Sequence, residues 1–186
     1  MRIVGGSARG LKLADVGEGD TAAHLRPTSD RVRESIFNLL INGTHGNPIP
    51  SARVLDLFAG TGALGLEALS RGAAHATLVD DGPAALTLMR RNIALMRGPD
   101  AQILRQNATR LPPNPGPAYG LIFLDPPYGK DLGGAALTSA LTGGWIAPGA
   151  MIVWEENTPP PAPDPLTRID QRKYGSTVIT LLRMPG

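Results

Sequence analysis

The tetrad Asp125-Pro126-Pro127-Tyr128 contains the residue types that point most directly to chemistry. It follows the uninterrupted apolar residues 121–124, a buried strand whose end would lie at the carboxyl edge of a sheet, where open α/β folds bind ligands. Consecutive prolines remove two backbone donors, so the loop offers mainly acceptors. The Asp125 carboxylate and the Pro126 carbonyl can accept both N–H bonds of an amino group, and Tyr128 offers a face on which an extruded base can stack.

A glycine-rich turn lies between two further predicted strands. Gly60, Gly62 and Gly65 have the G-x-G-x-x-G spacing of a dinucleotide fingerprint, and Asp80 stands at the end of the next apolar segment. Small residues let a ligand approach the backbone closely. A carboxylate at the tip of the second strand can accept hydrogen bonds from both ribose hydroxyls. The pattern therefore predicts a nucleoside-type cofactor rather than a purely structural turn.

Asp56 distinguishes between two such cofactors. It stands four residues before Gly60, where its charge would repel the pyrophosphate of a dinucleotide. S-adenosylmethionine instead carries an ammonium and a sulfonium group, which a nearby carboxylate stabilises. We therefore expect S-adenosylmethionine and keep an NAD-binding oxidoreductase as an alternative from another class.

The elements that would position these residues begin at Arg53, from which short apolar runs alternate with helical stretches. A helix is predicted over 83–97, a hairpin turn at Tyr174-Gly175-Ser176, and surface loops in two proline-rich stretches, 111–118 and 158–165. The predicted strands are 53–58, 75–80, 101–106, 120–124, 150–155, 166–173 and 177–183. We expect an α/β fold of the Rossmann-like class I methyltransferase type: a mostly parallel seven-stranded sheet with an antiparallel C-terminal hairpin strand.

The first fifty residues form a predicted N-terminal extension, and residues 51–186 form the methyltransferase domain. The extension divides into a basic, glycine-rich segment (1–13), a loop of small residues (14–24), and a helix from about Thr28 to Ile41 that Thr28 or Ser29 can cap. We expect the extension to contact RNA and cofactor.

Composition permits a nucleic-acid partner without requiring one. Arginine makes up 15 of the 18 basic residues, and residues 90–110 carry five arginines against the single acid Asp100. Guanidinium groups suit phosphates and bases better than ammonium groups do, although a merely solvated arginine surface would give the same counts. The chain has no cysteine, three scattered histidines, no signal-like start and no long apolar run, so we expect no metal, no membrane and a cytoplasmic protein.

Several motifs together resemble the bacterial 16S rRNA guanine-N2 methyltransferase family. They are the segment 2–13, the block R-P-T-S-D-R-V-R-E from position 26, D-L-F-A-G-T-G, residues 67–73, D-P-P-Y and residues 173–175. D-L-F-A-G-T-G also resembles the first motif of class I methyltransferases, and D-P-P-Y the signature of enzymes that methylate adenine N6, cytosine N4 or guanine N2. The resemblance implies methylation of one guanine near the P site, on a complete or partly assembled small subunit, and we expect the enzyme to be a monomer.

The residues and the resemblance together give three sets of expected site residues. The catalytic set is Asp125, Pro126, Pro127 and Tyr128; the cofactor-binding set is Asp56, Phe58, Gly60, Gly62, Asp80, Asp81, Asn107, Ala108 and Asp125; the RNA-binding set is Arg2, Arg9, Lys12, Arg26, Thr28, Arg31 and Arg33. Two positions depart from the family pattern. Asn107 stands where an aspartate usually faces the adenine amine, although its carbonyl oxygen can still accept, and Asp80 stands where a glutamate is usual.

Two other functions use the same motifs. A DNA adenine-N6 or cytosine-N4 methyltransferase is the nearest alternative because the tetrad serves all three amines. Enzymes of that kind that recognise sequence generally need an added domain, for which 186 residues leave no room. A noncatalytic Rossmann-like RNA-binding module would bind RNA without affinity for a methyl donor.

Overall fold

A computed structural model describes residues 1–15 and 29–186, and there seven strands form one sheet in the order β3-β2-β1-β4-β5-β7-β6. The strands β1 to β5 are parallel, and β7 runs antiparallel to both of its neighbours, β5 and β6. Their bounds are β1 Arg53–Leu57, β2 His75–Asp80, β3 Ala101–Arg105, β4 Tyr119–Leu124, β5 Ile146–Glu156, β6 Thr167–Tyr174 and β7 Thr177–Arg183. The predicted fold, with its antiparallel C-terminal hairpin, is confirmed.

Helices cover both faces of the sheet. They are α1 Asp30–Asn42, α2 Ala63–Ser70, α3 Pro83–Leu95 and α4 Leu132–Thr142. One apolar cluster joins α1, α2 and α3 to the sheet through residues such as Phe37, Leu66 and Phe123, and a second joins α4 to the opposite face through Leu137 and Trp154. The result is a three-layer α/β/α arrangement.

The strand order brings the candidate site residues to one edge. Because β1 lies between β2 and β4, the loops that follow these three strands are neighbours at the carboxyl edge. The order also reverses between β1 and β4, and open α/β sheets bind ligands outside such a switch point. The sheet therefore places the glycine loop, Asp80 and the D-P-P-Y tetrad around one crevice.

Three elements differ from the sequence expectation. Strand β5 begins at Ile146, four residues before the expected start, and the expected helix 83–97 ends at Leu95. Helix α4 was not predicted, because its first turn contains Gly133 and Gly134, which have low helix propensity. The proline-rich stretches 111–118 and 158–165 contain no helix or strand, as expected.

The N-terminal segment, residues 1–15, lies along α2. Its ends meet in an antiparallel bridge between Arg2 and Lys12, while Ile3 and Leu13 enter the cluster that contains Phe37. Ser29 begins α1, with its hydroxyl accepting from the Val32 N–H at 3.2 Å. The described part of the extension thus shares its core with the rest of the chain, and its separate role stays a prediction. Most of the predicted loop 14–24 lies outside the described residues. No helix in the described ranges is long and apolar enough to cross a membrane.

Candidate active site

The glycine loop after β1 contains three residues with positive φ. Phe58 has φ +60°, Gly60 +55° and Gly62 +79°. A residue with a bulky side chain rarely adopts this conformation, and such strain is common at ligand sites. A Cβ on Gly62 would lie 2.9 Å from Leu78 Cδ1 and 3.4 Å from Met89 Cγ. Glycine at position 62 is therefore required by the core beneath the loop as well as by its backbone conformation.

Asp80 faces the glycine loop from the end of β2. One carboxylate oxygen accepts from the Gly60 N–H at 2.9 Å, and the other accepts from the Gly82 N–H at 2.9 Å. These bonds fix the carboxylate while each oxygen keeps a second lone pair. The half-buried group can therefore still accept from the hydroxyls of a ribose. Its neighbour Asp81 is exposed beside the same loop.

Asp56 lies beneath the loop and is 1% exposed. Its Oδ2 accepts from the Gly65 N–H at 2.9 Å, near the start of α2, whereas its Oδ1 is buried with no hydrogen-bond partner among the described residues. Burial raises the pKa of Asp56 to about 7; the Gly65 N–H opposes the increase and the charge on Asp80 adds to it. A buried acceptor with spare capacity in an acidic pocket fits a cation-bearing nucleoside better than a pyrophosphate.

The D-P-P-Y tetrad continues directly from β4. The Asp125 N–H donates to the Leu57 carbonyl at 3.4 Å, which ties the tetrad to the end of β1. Asp125 is half-buried, Pro126 is buried and Pro127 is exposed. The carboxylate therefore lies at the same edge as the glycine loop and remains reachable from the crevice.

Tyr128 is held by an acid that the sequence reasoning did not identify. Its hydroxyl donates to Glu155 Oε1 at 2.8 Å, and Glu155 is 5% exposed on β5. Since Leu124 pairs with Trp154, Asp125 and Glu155 stand side by side where β4 and β5 end. Glu155 follows an apolar strand just as Asp80 and Asp125 do, so the same rule could have found it.

The electrostatics around Tyr128 keep its phenol protonated. Burial raises the pKa of Tyr128 above its usual value; a hydrogen bond with Thr177 opposes this shift, and the charges on Glu155 and Asp125 add to it. A neutral phenol can donate to Glu155 and still present an aromatic face. The group is thus suited to positioning a base rather than to proton transfer.

Asn107 is placed differently from the expectation. It is exposed after β3, and its Oδ1 accepts from both the N–H and the hydroxyl of Thr109, at 2.9 and 2.7 Å. That oxygen thereby caps the short 3-10 helix Ala108–Arg110, in which Ala108 is buried. The expectation that the Asn107 oxygen accepts from an adenine amine therefore does not fit this arrangement.

The expected RNA-binding residues fall into several places. Arg2, Lys12 and Arg31 are exposed, and Arg31 lies in the first turn of α1. Arg9 is exposed at the far end of α2, because Ala8 N–H donates to the hydroxyl of Ser70, the last residue of that helix. Arg9 therefore does not line the crevice. Arg26 and Thr28 lie outside the described residues.

Arg33 was expected to contact RNA, and its burial contradicts this. Its side chain has no exposed surface; it donates to Asp30 Oδ1 at 2.7 Å and to the Arg2 carbonyl, and lies 3.6 Å from the buried Glu67 carboxylate. Glu67 also accepts from the Val4 N–H at 2.8 Å. Arg33 therefore joins the N-terminal segment, α1 and α2, which gives Asp30 and Arg33 a structural role.

Comparison with protein families gives one match that spans nearly all of the chain. A model described as "Conserved hypothetical protein 95" matches residues 1–183. A relative from Escherichia coli strain K12, named Ribosomal RNA small subunit methyltransferase D, is 39% identical over 166 residues, which cover 88% of this chain and 79% of the relative. A relative of the same name from Haemophilus influenzae is 31% identical over 182 residues, covering 94% and 89%.

Solved structures agree with the observed architecture. The Escherichia coli protein yhhF, described as a candidate methyltransferase, is 34% identical with a TM-score of 0.81, covering 100% of this chain and 98% of that one. The Pyrococcus horikoshii protein PH1948 has a TM-score of 0.68 at 15% identity, covering 94% and 93%, and shows the same fold.

Proposed function

The chain belongs to the family described as "Conserved hypothetical protein 95", and we propose that it methylates the exocyclic N2 amine of one guanine in 16S ribosomal RNA. It is an S-adenosylmethionine-dependent rRNA methyltransferase, and the relatives described above are named ribosomal RNA small subunit methyltransferases. The observation that carries the choice of an amine is the D-P-P-Y tetrad at the carboxyl edge, where Asp125 and the Pro126 carbonyl offer two acceptors beside the glycine loop.

The proposed cofactor site follows from the groups around the glycine loop. Asp80 would accept from the ribose hydroxyls, and Asp56, whose Oδ1 has no partner among the described residues, would offer an acceptor to the cationic part of the methyl donor. The positive φ of Phe58 and Gly60 shapes the loop that would cover the ligand, and Asp81 and Ala108 complete the proposed set. These residues fit S-adenosylmethionine, which supplies an electrophilic methyl group when bound.

The chain's own part in the reaction is to activate a poor nucleophile. An exocyclic base amine reacts slowly because its lone pair is delocalised into the ring. Asp125 and the Pro126 carbonyl accept hydrogen bonds from its two N–H groups and favour a pyramidal nitrogen. The nitrogen lone pair is then free for in-line attack on a methyl group. The Asp125 carboxylate then takes the proton that the nitrogen loses. Tyr128 stacks on the extruded base, an interaction worth about 1–3 kcal/mol.

The RNA would approach from the side of the N-terminal segment. Arg2, Lys12 and Arg31 are exposed there and can contact phosphates, and Arg26 and Thr28 precede α1 in the chain. We infer that the protein acts as a monomer. It would act in the cytoplasm, on the small subunit or an assembly intermediate, because that is where 16S rRNA is found.

The test is transfer of labelled methyl to small subunits that lack the modification, followed by identification of the nucleoside. We expect N2-methylguanosine. Asp125→Ala should lower the rate by at least about 100-fold with nearly unchanged donor affinity, because it removes an interaction with the reacting amine. Asp164→Ala, which removes an exposed carboxylate from the loop before β6, is the matched control. Methylation of adenine N6 or cytosine N4 would overturn the proposal.

A further inference from the structure

Five exposed arginines lie around the edge strand β3: Arg9, Arg90, Arg91, Arg97 and Arg105. We propose that this set, the basic flank, is a second RNA-binding surface, separate from the crevice, that binds the sugar-phosphate backbone of the substrate. The proposal rests on the proposed function in one respect, namely that the substrate is RNA.

The orientation of α3 places Arg90 toward the sheet edge. Asn92 points the other way, because its Nδ2 donates to the Thr61 carbonyl at the start of α2 at 2.9 Å. Residues two apart on a helix point in directions that differ by about 200°, so Arg90 lies on the side of α3 away from α2. Arg91, between them, faces outward and is exposed.

Strand β3 places Arg105 on the same face of the sheet. Ile103 packs against the cluster that contains Met89 of α3, and residues two apart on a strand share a face. Arg105 is therefore on the α3 side, at the carboxyl end of the edge strand. From Ala101 to Arg105 the strand spans about 13 Å, so the basic flank follows the whole length of the edge strand β3.

At the amino ends of β2 and β3 the flank continues into an open groove of about 670 Å³. Arg9, from the N-terminal segment, and Arg97, from the end of α3, both line it. Leu95, 40% exposed, gives the groove an apolar wall. Its one acid, Asp100, lies 2.9 Å from His75 Nδ1. Two arginines that are distant in sequence are thus directed at one concave surface.

The arginines of the basic flank have no acidic partners in the described parts of the chain. Within the described residues, none of the five forms an ion pair, whereas Arg2, Arg33, Arg71 and Arg172 each do. Unpaired guanidinium groups have all five donors available for phosphate oxygens. A line of separate cations suits an RNA backbone, which presents a phosphate at every nucleotide and requires no sequence match.

The experiment compares two double variants, each of which removes two positive charges at one edge of the sheet. The flank variant is Arg90→Gln with Arg97→Gln; the control is Arg168→Gln with Arg172→Gln on β6, at the opposite edge of the sheet. Dissociation constants are measured for small subunits and for protein-free 16S rRNA over a range of salt concentrations, beside donor affinity and the rate at saturating subunits.

We expect the flank variant alone to bind subunits and rRNA on the order of tenfold more weakly, with the slope of log affinity against log salt reduced by roughly 1 to 2. Donor affinity and the saturating rate should match those of the unmodified protein. Equal losses in both variants, or no loss in either, would overturn the proposal. A loss of affinity for subunits but not for free rRNA would also overturn it, because it would show that the flank binds a ribosomal protein. Because binding is measured separately from the methylated nucleoside, failure of the proposed reaction would not imitate any of these results.

Discussion

The buried Asp56 links the cofactor site to the pH dependence of stability. Its folded pKa of about 7 lies above the ordinary value of 3.8, so between these values the folded state binds a proton that the unfolded state releases. The stability that this group contributes is therefore fully present below about pH 4 and is lost as the pH rises through about 7.

We expect Asp56→Asn to remove that loss, because asparagine keeps an acceptor for the Gly65 N–H without a titrating charge. Thermal unfolding of both proteins at several values between about pH 5 and pH 8 measures the effect. The melting temperature of the unmodified protein should fall relative to that of the variant as the pH rises. If the melting temperatures of the two proteins change in parallel with pH, Asp56 is charged throughout this range.

We expect Glu155 to be a positioning residue that acts through Tyr128. The phenol hydroxyl donates to a nearly buried carboxylate, a bond worth about 1.5–3 kcal/mol, and this bond fixes the ring beside Asp125. Glu155→Gln should therefore raise the KM for subunits several-fold while leaving donor affinity unchanged, since glutamine keeps the shape but weakens the bond.

The matched test uses Tyr128→Phe, which removes the hydroxyl and keeps the stacking face. If Glu155 acts through that hydroxyl, adding Glu155→Gln to Tyr128→Phe should change KM much less than it does in the unmodified protein. Steady-state kinetics of the four proteins checks this. Additive effects would mean that Glu155 contacts the substrate or the fold by another route.

The sequence predicts the position of a candidate site residue well where that position depends on local structure. Asp80, Asp125 and the glycine loop each follow an apolar run, and their positions at the carboxyl edge agree with expectation. Arg31 and Arg33 look alike in sequence, two residues apart on one helix, yet Arg31 is exposed and Arg33 is fully buried. What separates them is Glu67 on another helix, a long-range partner that local patterns do not reveal.

At the scale of elements, the central strands β1, β2 and β4 were predictable because buried strands in a parallel sheet are largely apolar. Helix α4 was missed because two glycines in its first turn lower its intrinsic propensity. Packing compensates: Gly133 lets the helix approach Trp154, and a Cβ there would lie 2.3 Å from Trp154 Cζ2. The contact with Trp154, which the local sequence does not reveal, therefore decides the conformation of this segment.

These two glycines should respond oppositely to alanine. Gly133→Ala should lower the melting temperature, because the methyl group meets the Trp154 ring and the helix must move. Gly134→Ala has the same propensity gain, up to about 1 kcal/mol, and its Cβ would meet only Asp131 Oδ1 at 3.9 Å. It should raise the melting temperature by a few degrees. A stabilised Gly133→Ala would contradict the observed packing of α4 on β5.

At the scale of the whole molecule, the proposed function assigns the crevice to one base and the basic surface to phosphates. The described residues form one sheet with four α-helices, and exposed arginines lie beside the N-terminal segment, around β3 and, at the other edge of the sheet, on β6. Backbone contacts supply affinity but carry no sequence information. Selection of one guanine therefore has to come from elsewhere, and a folded RNA recognised by shape can supply it.

The last prediction concerns the acceptor, which we expect to be the assembled particle. A small domain with few base-reading elements needs its target held in an accessible loop, and the small subunit fixes that loop where free rRNA does not. Small subunits lacking the modification, protein-free 16S rRNA and duplex DNA are offered side by side with labelled methyl donor. The rate should fall from particle to free rRNA, with little transfer to DNA, where the base must first be unpaired and unstacked at a cost of a few kcal/mol. Equal rates on particle and free rRNA would place the selectivity in the RNA sequence, and comparable methylation of DNA would remove the assignment to RNA.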